Sequence, residues 1–145
     1  LIEVENPSAG AIVSLMTASE QTSAGGSVAA NETLQSVANA QDLPLIYRQI
    51  ASFKALGLSA ADLSTKDRRA GYEALSQPGN LLRLLATEQL GLIDIEAGDT
   101  AAALVVLQGI IDDSEATADL QQRSVQLMVA LGAKPDLAQL TAVGN

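Results

Sequence analysis

Apolar residues recur along the chain at the spacing of a helix, in blocks separated by short gaps rich in Gly, Pro and Ser. That pattern predicts seven helices. The first runs over about 8–22, entered after Pro7 and stopped by Ala24-Gly25-Gly26; the second runs over about 27–40, with Ser27 as candidate N-cap. The third, about 44–56, opens on a proline in the tolerated first turn and stops at Gly57. The fourth covers about 64–75, capped by Ser64 or Thr65 and closed by Gln77-Pro78-Gly79-Asn80. The fifth, 81–97, precedes Gly98-Asp99; the sixth is 100–111, and the seventh, about 116–131, ends at Gly132. A short eighth turn is expected over 136–140, after Pro135. The one β-like run, Leu104-Val105-Val106-Leu107, lies between helical flanks, so the chain reads as all-α.

Two helices have unusual faces. Leu81, Leu82, Leu84, Leu85, Leu90, Leu92, Ile93 and Ile95 cover nearly the whole circumference of the fifth, which predicts burial on several sides. Ile12, Val13, Leu15 and Met16 give the first a broad apolar face. That face packs on a helix preceding Leu1, on a second copy, or on a client. Loops of two to eight residues imply antiparallel neighbours, as a bundle or as stacked hairpins.

Self-similarity favours hairpins. Ala24-Gly25 recurs as Ala97-Gly98, Ala29-Ala30 as Ala102-Ala103, and Leu34-Gln35 as Leu107-Gln108, all 73 residues apart. Past a two-residue insertion the offset becomes 75: Leu45 matches Leu120, Arg48 matches Arg123, and Ala55-Leu56-Gly57 matches Ala130-Leu131-Gly132. Phe53 then pairs with Met128 and Ile50 with Val125. An offset of this size is about twice the 34 residues of a tetratricopeptide unit. Leu90-Gly91, Gly98-Asp99, Ala103 and Leu107 resemble that repeat directly, with Gly91 and Ala103 where two helices cross closely. The earlier unit repeats the frame with Ala18, Gly25, Ala30 and Leu34, but carries Ser14 and Gln21 at the usual large aromatic positions.

The expected fold is therefore antiparallel helix hairpins stacked as a degenerate, right-handed tetratricopeptide-like array, with 1–145 as a single domain. The order Leu43-Pro44-Leu45 … Arg48, Gln77-Pro78-Gly79-Asn80, Glu88-Gln89-Leu90 … Glu96-Ala97-Gly98-Asp99, Leu107 … Asp112-Asp113 is similar to a bacterial family: the tetratricopeptide-like periplasmic domain of the ancillary SecYEG translocon subunit type. The resemblance covers most of 10–134. It implies an N-terminal membrane helix ahead of this domain, a place at the periplasmic face of the inner membrane, and translocon components or unfolded clients as partners. It carries no catalytic motif. A chain that begins at Leu rather than Met is in keeping with a piece excised from something longer; a cytoplasmic location is the alternative.

Composition narrows the chemistry. Of 145 residues, 25 are Ala and 22 are Leu, as close-packed helices require. There is no Cys, His or Trp, which removes disulfides, thiolate or imidazole zinc sites and His-based nucleophilic catalysis. A net charge of −9 and three aromatics (Tyr47, Phe53, Tyr72) argue against nucleic-acid binding. No stretch is long and apolar enough to span a bilayer, and residues 1–6 lack the basic start of a signal peptide. Six of the eight bases lie between 48 and 83, whereas 84–122 holds eight acids and no base. That acidic run serves solubility and the helix macrodipole, or else selects basic segments. Asp112-Asp113-Ser114-Glu115 with Asp119 lacks the order of an EF-hand loop, and Glu88 with Glu96 has no sugar platform beside it. Neither a metal nor a cofactor is expected.

A non-enzymatic interaction module follows, binding a protein or peptide. In a tetratricopeptide array the first helix of each hairpin lines the inner face. That places Ile12, Leu15 and Ser19 of the first helix, and Leu85, Glu88, Leu92, Ile95 and Glu96 of the fifth, as candidate partner-binding residues. The aliphatic residues would supply burial, and the two glutamates would orient a basic partner. The rival reading is an assembly subunit whose apolar faces serve homodimerisation only.

Overall fold

The computed structural model describes residues 6–138 and 140. It contains α1 (Pro7–Ser23), α2 (Ser27–Asn39), α3 (Leu45–Leu58), α4 (Thr65–Leu75), α5 (Arg83–Glu96), α6 (Thr100–Asp112) and α7 (Ala118–Ala130). No strand occurs among the described residues, and the β-like run lies inside α6. Most ends fall within a residue or two of expectation. The start of α5 is later because the Asn80 side chain accepts the Leu82 N–H at 3.0 Å, which holds Leu81 and Leu82 in the preceding turn. The Thr117 hydroxyl likewise accepts the Leu120 N–H at 3.3 Å and fixes the start of α7. The turn expected over 136–140 is helical at Ala138 and Leu140, while Gln139 lies outside the described residues. No helix among the described residues is long and apolar enough to cross a membrane.

Contacts divide the chain into two compact units, 1–71 and 72–145, with the division inside α4. In the first, α1 packs on α2 and α2 on α3, and α1 also reaches α3. Its core joins Ala18, Ala30, Leu34, Val37, Ala51 and Ala55, with Leu15, Tyr47 and Leu58 against it. In the second, α5 packs on α6 and α6 on α7. Leu107, Ile111 and Met128 form its core, and Leu104, Val125, Leu127, Leu131 and Leu140 pack around them.

The two units share one backbone frame at a constant offset of 73. Ala24 and Ala97 close α1 and α5, Gly26 and Asp99 open α2 and α6, and Pro44 and Thr117 open α3 and α7. Gly25 and Gly98 take φ of +81° and +76°, a conformation that costs a residue with a Cβ about 1–2 kcal/mol. The following N–H then reaches back to the helix: Gly26 donates to the Gln21 carbonyl at 2.8 Å, and Asp99 to the Asp94 carbonyl at 2.9 Å. The next loops also agree, since Leu43 N–H donates to the Ala40 carbonyl and Ala116 N–H to the Asp113 carbonyl, both at 3.1 Å.

The two-residue insertion read from the sequence is therefore absent. Burial in the third helix of each unit confirms the constant offset, with Ala51 equivalent to Ser124 and Ala55 to Met128. Gly57 and Gly132, which had suggested a shift to 75, have different roles. Gly132 ends α7 at φ +79°, whereas α3 runs through Gly57 and closes at Ser59.

Candidate partner-binding groove

The shared frame converts the candidate residues into equivalent pairs. Ile12 and Leu85 are one pair, 46 % and 37 % exposed. Leu15 and Glu88 are the next, and Ser19 and Leu92 the third. Thr22 and Ser23 of α1 then correspond to Ile95 and Glu96 of α5. Ser19 and Thr22 of the first unit thus stand where the second has the larger Leu92 and Ile95.

In the first unit this difference leaves a groove of about 400 Å³ between the C-terminal halves of α1 and α3. Ala18 and Leu34 form its floor, and both are buried. Ser19, Thr22 and Ser23 of α1 make one wall. Phe53, Lys54, Gly57 and Leu58 of α3 make the other. Two of the hydroxyls are already spent on their own helix: Thr22 Oγ1 donates to the Ala18 carbonyl at 2.8 Å and Ser23 Oγ to the Ser19 carbonyl at 3.0 Å. An apolar side chain laid over them strands no hydroxyl donor. Lys54 is the one ionic group in the lining; it is exposed and forms no ion pair among the described residues.

In the second unit the positions equivalent to Ser19, Thr22, Lys54 and Leu58 carry Leu92, Ile95, Leu127 and Leu131, all half-buried. Leu127 and Leu131 pack against the Leu107–Ile111–Met128 core.

Glu88 lies deeper than a partner-orienting carboxylate would. It is 6 % exposed, and Arg123 of α7 donates to it twice, from Nε to Oε1 and from Nη2 to Oε2, each at 2.9 Å. These bonds, with desolvation opposing them, raise the Arg123 pKa. A basic partner would have to compete with a bidentate guanidinium for this carboxylate. Glu96 is exposed and has an interaction of its own. The positions equivalent to Glu88 and Arg123 are Leu15 and Ile50, so one unit ties its first and third helices by charge where the other has aliphatic side chains.

A second ionic tie lies within the second unit. Arg83, at the start of α5, donates to Asp113 at 2.8 and 3.3 Å and to Glu115, both in the loop between α6 and α7. The hydrogen bonds from Arg83 hold the Asp113 carboxyl below the ordinary carboxylate range, although desolvation pushes it up, and the Glu115 N–H adds to the lowering. A cleft of about 320 Å³ beside this cluster is lined by Asn80, Leu81 and Leu84, but its cation is already committed to two carboxylates. Among the described residues no three metal-ligating side chains converge.

The fold and the groove stand without a likeness to lean on. No protein-family profile, no curated protein and no solved structure matches the chain.

The sequence pointed to the α1 wall through Ser19 but missed the α3 wall. In a tetratricopeptide frame α3 opens the second hairpin, so it belongs beside α1 on the same face. That signal was hidden because the segment from Pro44 to Leu75 fits the repeat pattern only loosely.

Proposed function

We propose that the chain is a non-catalytic, tetratricopeptide-like interaction module that holds a protein segment in the groove between α1 and α3. The observation that carries this reading is the groove itself, which keeps an apolar floor open where the equivalent positions of the second unit hold Leu92, Ile95 and Leu127. A surface of this kind suits side-chain insertion by a partner. The resemblance to the ancillary SecYEG subunit type supplies the setting: the outward-facing part of a membrane-anchored factor acting in protein translocation or with periplasmic chaperones.

A photo-crosslinking residue at Ser19, with one at Leu92 as control, tests the assignment in cells producing the full chain. Protein adducts should form from position 19 and not from position 92. Equal yields at the two positions would remove the groove from the account.

The assembly reading has its own support in α1, where Ile12, Val13 and Met16 are 46 %, 56 % and 61 % exposed. Two copies could cover that stripe. Light scattering over a hundredfold range of concentration separates the readings, because Met16→Glu should dissociate a dimer built on this face and leave groove binding intact.

A further inference from the structure

The two units are the same frame filled differently, and the difference describes the missing occupant. Where the second unit places Leu92 and Ile95, one turn apart on α5, the first places Ser19 and Thr22 and leaves space. Where the second places Leu127, the first places at the rim the cation Lys54, which has no ion pair among the described residues. Bare aliphatic character on the floor, the hydroxyl hydrogens of Thr22 and Ser23 already used within α1, and one positive charge with no ion pair among the described residues define a complementary surface.

Resting on the interaction reading above, we propose that the groove of the first unit takes an acidic helical segment of a partner protein. Two branched aliphatic residues one turn apart enter the space over Leu34, and a carboxylate beside them pairs with Lys54. The segment supplies in trans the side chains that α5 supplies for the second unit in cis. The choice of an acidic partner runs against the chain's net charge of −9, so the preference must come from Lys54 at short range. At physiological ionic strength the Debye length of about 8 Å screens most of the distant acids.

The test uses the full chain and a fluorescein-labelled peptide with the sequence of residues 83–96, which carries Leu92, Ile95 and Glu96 in the required order. Fluorescence anisotropy should report saturable binding. The double change Ser19→Leu with Thr22→Ile, which gives the groove the second unit's residues, should abolish it while the circular dichroism spectrum stays helical. The exposed change Lys54→Glu should weaken binding by about two- to fivefold, the size of an exposed ion pair, and reverse its dependence on salt.

A peptide with Glu88, Asp94 and Glu96 changed to Lys separates the two claims. Tighter binding of that basic peptide, lost on filling the groove, would overturn the acidic partner and leave the interaction module standing. Binding of neither peptide, or binding unaffected by Ser19→Leu with Thr22→Ile, would overturn both.

Discussion

The two units set one backbone frame against two ways of filling it. From the ends of α1 and α5 to the starts of α3 and α7 their turns agree at an offset of 73, yet Val37, Ala38 and Ala55 stand where the second unit has Ile110, Ile111 and Met128. The frame therefore does not require a large core. Helix neighbours joined by short turns and closed by Schellman glycines tolerate small residues at the crossings, because capping and local hydrogen bonds set the geometry. What the larger side chains add is packing, and where they are missing the first unit has a groove. Charge divides in the same way. Residues 1–71 hold seven acids and five bases, and 72–145 hold ten and three. The second unit, with the larger side chains at these positions, also has two ionic ties between its elements.

The strongest way to break this comparison is to delete the same core leucine from each unit. Leu107 is wholly buried, so Leu107→Ala should cost about 3–5 kcal/mol through lost transfer energy and a rigid cavity. Leu34 has the groove on one side, where water can enter the vacated space, and Leu34→Ala should cost about 2–3 kcal/mol. Urea denaturation of both variants measures the difference. Equal losses would mean that the first unit is packed as tightly as the second.

Next in size is the exchange of a charged pair for an aliphatic one. Arg123→Ile leaves the buried Glu88 without its partner and should cost about 2–3 kcal/mol, less than for a wholly buried pair because Arg123 is 48 % exposed. Glu88→Leu leaves a cation that can turn to solvent and should cost about 1 kcal/mol or less. The double variant imports the Leu15–Ile50 pair of the first unit and should regain most of the stability. Additive losses in this double-mutant cycle would show that the two units do not exchange parts.

The frame was legible in the sequence and the filling was not. Ala24-Gly25 and Ala97-Gly98 announce two identical helix ends because a φ near +80° leaves glycine as the favoured residue, and such positions are visible in any sequence. The third helices carry no such marker. Gly57 looks like Gly132 by type alone, and matching the two aligned Arg48 with Arg123, although the residue equivalent to Arg48 is Gln121. That slip set the third helices two residues out of register. A carboxylate on an amphipathic helix reads as solvent-facing unless a guanidinium 35 residues away is known to meet it, and that meeting depends on tertiary packing. Of the eight aliphatic residues over 81–95, six are buried or half-buried, Ile93 most deeply, as a helix apolar all round should be. Leu81, in the turn before α5, is 78 % exposed, and the buried positions of α5 also include Ala86, Gly91 and Glu88, which the aliphatic pattern does not mark.

The acid limb of stability sharpens the comparison further. The folded-state pKa of Asp113 is lowered by its hydrogen bonds from Arg83, so its contribution is present above the unfolded value of about 3.9 and is lost as pH falls through the folded value. Asp113→Asn should lower stability at pH 7 and flatten the decline below about pH 4, as thermal melts from pH 7 to pH 2 would record. The first unit has Ala40 at this position. A steep acid limb that survives in Asp113→Asn would assign the pH dependence to other carboxylates.

The smallest expected effect lies where the helices cross. A Cβ built on Gly91 would sit 3.2 Å from Val106 Cγ1, closer than a relaxed contact, and at an ordinary 3.7 Å from Leu107 Cδ2, whereas the equivalent Ala18 has its Cβ and is 2 % exposed. Replacing a mid-helix glycine by alanine gains about 1 kcal/mol of helix propensity. Moving Val106 by a few tenths of an ångström costs a comparable amount, since overpacking a filled core carries a penalty of about 1–3 kcal/mol. Gly91→Ala should therefore change stability by about 1 kcal/mol or less in either direction. The reverse change, Ala18→Gly, gains no relief from crowding and should lose about 1 kcal/mol from propensity alone. If both changes lose stability equally, the crossing of α5 on α6 is no tighter than that of α1 on α2, and the contrast between the units lies wholly in their third helices.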